Sequence, residues 1–165
     1  MTQAAPAHTL GPVSGLDYHH VRTLDLPVPV SPIEVWNIIT SGQGVVLRLA
    51  FHMRDFISSR FGVQRIGGFS GQQRSSVKAG DMLDFFLVEH SDPGLLILTA
   101  RDRHLDVMVC LSVNDSQLTM TSSVITHNNF GRLYMVPVRP AHELIVHKYL
   151  KRLQRTLQLR ASSPG

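Results

Sequence analysis

Cysteine is almost missing from this 165-residue chain. Cys110 is alone, so no internal disulfide can form, and a reducing cytoplasm is the expected location. No apolar run approaches the ~20 residues that a membrane-spanning helix needs, so no span is expected. The opening MTQAAPAHTLGPVSG lacks a basic start followed by an apolar stretch, which argues against an export signal. Aromatic residues make up 7% of the chain and charged residues 17%. The formal charge is +4 and the pI about 9.7. Without a long Lys/Arg run or an aromatic RNA-binding signature, that excess does not indicate nucleic acid. CxxC, HExxH, the Rossmann fingerprint and Ser/His/Asp nucleophile signatures are all absent, so neither a cofactor nor a resident metal is expected.

What is present is a 43% hydrophobic globular composition, enough for one domain with a proper core. Residues 1–16 and 160–165, rich in small residues, read as a flexible lead and tail around a single domain over 17–159. Residues 18–30 are rich in β-formers and predict a first strand that ends among Pro27 and Pro29. Ser31, Pro32 and Glu34 form a helix start with a capping box, and Ile33, Trp36 and Ile39 share one face until Ser41-Gly42. Val46, Leu49, Met53, Phe56 or Ile57, and Phe61 predict a second helix closed by Gly62. Two helices in succession after one strand do not suit an alternating βαβ fold.

Residues 67–80 are rich in Gly, Ser and Gln but match no phosphate-binding pattern, and read as a loop. The period then changes to two. Four runs, 82–90, 95–101, 104–113 and 117–128, separated by short turns, predict an antiparallel meander. Leu105, Val107, Val109, Leu111 and Val113 share one face, matched by Leu118, Met120, Ser122, Val124 and Thr126 in the next run. After a polar break, Pro140 is placed at the start of a long helix, with Val146, Tyr149, Leu150, Leu153 and Leu157 as its apolar stripe. Lys148, Lys151, Arg152 and Arg155 fill the other side, read as a solvated exterior.

Strand, two helices, meander and long terminal helix is the order of the helix-grip fold: an α+β domain whose curved antiparallel sheet wraps around a long C-terminal helix. Asp102-x-His104-Leu105-Asp106, Asn128-x-x-Gly131-Arg132-x-Tyr134 and Pro140-x-His142 resemble the segments of bacterial domain-of-unknown-function family 2867. That family is placed in the helix-grip (START, polyketide cyclase and birch-pollen-allergen-like, SRPBCC) superfamily. The likeness covers residues 17–157, with Ala141 and Glu143 standing where Phe and Arg are expected. It implies a fold and a hydrophobic cavity between sheet and helix, and no established chemistry.

Asp102, His104 and Asp106 are candidates for proton handling or metal binding, because alternate strand residues project to one side. A zinc site would need His127 or His142 as a third ligand, and ion pairing with Arg101 or Arg103 explains the cluster equally well. Asn128, Arg132 and Tyr134 are candidates for a ligand clamp, or for shaping the break before the helix. His142 and Tyr149 are candidates on the cavity side, and Arg54 is an anion anchor if it points inward. Three functions are compatible with this pattern. The chain binds a small hydrophobic or amphipathic molecule, or runs a cyclase- or hydrolase-like reaction through His104, Asp106 or His142. In the third it serves as an accessory domain with a protein partner, a homodimer included.

Overall fold

The structure, a computed structural model, describes residues 8–42, 55 and 69–163. β1 (Tyr18–Asp25) is followed by α1 (Pro32–Thr40), then β2 (Met82–Leu83), β3 (Phe86–Ser91), β4 (Leu95–Arg101), β5 (Leu105–Asn114) and β6 (Gln117–Thr126). A helix of 34 residues, α2 (Asn129–Ser162), completes the chain. The predicted helix over residues 46–61, and Arg54 within it, lie outside the described residues apart from helical Asp55.

Among the described residues six strands pair antiparallel in the order β1-β6-β5-β4-β3-β2. The first strand therefore closes on the last, with Tyr18 opposite Val124 and Asp25 opposite Gln117. β1 stops at Asp25, earlier than expected, because β6 offers no residue beyond Gln117 and Pro27 and Pro29 have no N–H for a ladder. Two hairpins use two-residue loops, and in each an aspartate takes the left-handed conformation: Asp84 at φ 57° and Asp115 at φ 52°.

The alternation of the strands decides what lies under the helices. Val88, Leu96, Leu98, Leu111 and Leu118 form one buried face. Against it pack Val35 and Ile39 of α1 and Val146, Leu153 and Leu157 of α2. Each such side chain contributes roughly 1.5–3 kcal/mol on burial, which makes the α2 stripe the clamp on this core. α1 starts as expected, with Ser31 Oγ accepting from Glu34 N–H and the Glu34 carboxylate accepting from Ser31 N–H. Trp36 then stands edge-on to Phe69 and Phe86, extending the core toward β3. This is an α+β protein with the helix-grip arrangement.

On the opposite sheet face the segment from His8 to Leu10 lies along the strands. Leu10 N–H donates to Ser123 Oγ at 3.2 Å, and the buried Cys110 thiol is pushed up by its burial against an opposing pull from the His8 N–H.

α2 begins eleven residues before the start predicted at Pro140, and the polar break before it is helix. Asn128 is the cap, its Oδ1 accepting from Gly131 N–H at 3.0 Å. Pro137 and Pro140 both lie inside the helix. They leave the carbonyls of Leu133 and Val136 without their usual donors. Leu133, Val136 and both prolines are exposed, so water can take those donors' place. At Gly131 the helix runs against the β4–β5 turn, where a Cβ would fall 2.3 Å from the His104 carbonyl oxygen. Gly131→Ala must therefore displace backbone, and should destabilise the protein by about 2 kcal/mol in urea unfolding.

Candidate functional site

Among the described residues the polar candidates fall into three groups. The first ties the start of α2 to the β4–β5 turn. Asp102 Oδ1 accepts from the N–H groups of His104 and Leu105 at 2.6 and 2.9 Å, closing the turn. Arg103 Nε donates to His104 Nε2 at 3.0 Å, and His104 Nδ1 lies within hydrogen-bond distance of the Asn128 amide, 3.0 Å from Nδ2 and 3.3 Å from Oδ1. Asn128 Nδ2 meanwhile donates to the Arg103 carbonyl at 3.1 Å. Phe130 lies over the imidazole, with ring centroids 4.5 Å apart. Every polar atom named here is engaged in fixing the junction.

Asp106 belongs to a second group. It faces away from Val107 and the core, and lies 3.3 Å from Arg101 and 3.1 Å from His127 Nε2. Among the described residues no three of His, Cys, Asp and Glu come close enough to hold a metal ion. Arg132 is exposed beside Asp17. The Thr126 N–H, 2.7 Å from Asp17 Oδ2, holds that carboxyl below the usual range, aided by the charges of Arg132 and Arg139. Tyr134 packs beside Tyr18, Val124 and Met135 under the first half of the helix.

The third group sits further along α2. Tyr18 Oη and His142 Nδ1 are 3.2 Å apart, and the two rings meet edge-on with centroids at 5.4 Å. His20, on the same face of β1 as Tyr18, closes the cluster at 5.9 Å from His142. Burial, helped by the neighbouring His20, brings His142 down to about 4, while burial and the nearby Glu143 push Tyr18 up to about 12. His20 is itself lowered by burial and by Arg22. At neutral pH His142 is an uncharged imidazole, suited to hydrogen bonding and a poor proton acceptor. Two turns on, Tyr149 packs against the core, and its buried hydroxyl has no hydrogen-bond partner among the described residues. Burial raises its pKa, against the opposing charge of Arg152.

The acid–base candidates are not brought together. His142 lies thirteen residues along α2 from Asn129, about 20 Å of helix from the His104 junction. Asp106 is on the outer sheet face. Sequence reasoning passed over Tyr18 and His20, which sit some 120 residues from His142; their placement two apart on one strand was the available signal.

A family model described as Protein of unknown function (DUF2867) matches residues 12–149. The chain belongs to the DUF2867 family. No curated protein and no solved structure matches it. The DUF2867 match takes in β1, α1, the whole sheet and α2 as far as Tyr149, so it contains the Tyr18–His20–His142 cluster entire.

That cluster makes the stability of this DUF2867 protein pH-dependent. His142 is lowered in the folded chain, so the unfolded chain binds more protons between about pH 6.5 and 4. Stability should accordingly fall as the pH drops through that window, by about 2 kcal/mol at pH 5 from His142 alone. In His142→Phe the difference between urea midpoints at pH 7 and pH 5 should shrink by that share.

Proposed function

We propose that this DUF2867 chain is a cytoplasmic member of the helix-grip superfamily and binds a small hydrophobic or amphipathic molecule between its sheet and α2. One observation carries the reading. The Tyr149 hydroxyl is buried on the core side of α2, among Ile145, Val146, Leu150 and Leu153, with no partner among the described residues. A hydroxyl left in that state costs about 1–3 kcal/mol. A bound molecule with an apolar body and one polar atom would supply the missing hydrogen bond while its body lies among the aliphatic side chains. His142, uncharged and on the same side of the helix, is a second polar group for such a molecule. Asn128 is occupied by capping and Arg132 is exposed, so the reading rests on His142 and Tyr149.

The test is native mass spectrometry of the protein purified from its own host. A co-purifying molecule should be retained by the unaltered chain and largely lost from Tyr149→Phe. The ligand-free Tyr149→Phe protein should be more stable by about 1 kcal/mol, because the unpaired hydroxyl is gone. A bare mass for the unaltered chain, or a ligand held equally by both, would defeat the reading.

A further inference from the structure

The solvent side of α2 is neither plainly polar nor evenly charged. Leu133, Val136 and Leu144 are 71%, 66% and 47% exposed, and Pro137 and Pro140 are exposed between them. Residues 133, 137, 140 and 144 recur at spacings of four, three and four, so they form one strip along the first half of the helix. Arg132 and Arg139 flank that strip, and Lys148 and Lys151 continue beyond it, all exposed. α2 holds seven of the chain's 16 cations and one of its 12 acids, Glu143, so the remainder of the chain is net acidic. The basicity of the protein is that of this single helix.

We infer that this face of α2 docks on an anionic lipid surface, lying flat with Leu133, Val136 and Leu144 among the lipid headgroups and acyl boundary. An apolar strip bordered by Lys and Arg is the chemistry of an interfacial helix: the leucines gain from leaving water, and the cations gain from acidic headgroups. The charge argues against a second copy of the chain on the same face, since two such helices would oppose like charges along their length. It is compatible with nucleic acid, but Leu133, Val136 and Leu144 have no use against phosphates. The two prolines limit the depth. The carbonyls of Leu133 and Val136 lack intrahelical donors and need water or headgroup donors, so the helix stays at the interface. No helix among the described residues is long and apolar enough to cross a membrane, which agrees with a surface attachment.

Sedimentation of the full chain with phosphatidylcholine vesicles, with and without phosphatidylglycerol, tests this inference. Binding should require phosphatidylglycerol, weaken with salt, and fall at least about ten-fold both in Leu133→Asp/Val136→Asp and in Lys148→Glu/Lys151→Glu. The circular dichroism melting curve of each variant confirms that it is folded, because all four side chains are exposed. Equal pelleting with both lipids overturns the inference, as does retention of binding by the Asp variant. So does a dimer in light scattering that the Asp variant dissolves, which would assign the face to a second copy. A duplex DNA complex insensitive to the Asp variant would assign it to phosphate polymers instead. None of these readouts depends on the Tyr149 ligand, so either idea can fail while the other stands.

Discussion

The backbone of α2 can approach the β4–β5 turn only because residue 131 has no side chain. That contact, with the His104 carbonyl where a Cβ would fall, fixes the height at which the helix enters the sheet. The rest follows from it. Asn128 is held by His104 and the Arg103 carbonyl, and in turn caps the helix. Once the entry is fixed, the helix period delivers His142 to Tyr18 and then Tyr149, Leu153 and Leu157 to the core. A small change at the junction would therefore be felt along the whole length of the buried stripe.

Viewed end on, α2 serves three environments. On its core side His142 and Tyr149 carry polar atoms that sit where desolvation keeps them uncharged. Its flanks carry arginines that reach backbone carbonyls of neighbouring elements, Arg139 to Asp17 and Arg152 to Gly42. Its outer side combines leucine, valine and proline with lysine. Charged residues on the sheet, by contrast, are largely matched locally, as Asp106 is with Arg101 and His127.

Much of the fold was legible in the residues. The period-two runs placed Val109 and Leu111 on the buried face, and Ser31-Pro32-x-Glu34 marked the start of α1, because both signals are local. The start of α2 was misread. Pro140 has the properties of a first helical residue, and nothing within a few residues reveals that both prolines sit where solvent can satisfy the freed carbonyls. The Asn128-x-x-Gly131 spacing was the true cap signal. Tyr149 and His142 could be placed on the core side from their spacing to Val146 and Leu153. Their surroundings could not be read, since the Tyr18 contact depends on how β1 registers against β6, a long-range fact. For the same reason the sequence left open which partners His104 and Asp106 meet, and the structure sets His104 beside Asn128 and Asp106 beside Arg101 and His127.

The pairing of the first strand with the last has a consequence for biosynthesis. β1 emerges from the ribosome about a hundred residues before its neighbour β6, and α1 waits for the second half of α2 in the same way. Hairpins β3–β4 and β5–β6 can assemble as they are made, whereas β1 must remain unpaired until β6 has been synthesised. A nascent chain stalled before residue 117 would expose a half-built sheet with its edge open, a form that chaperones would have to shield.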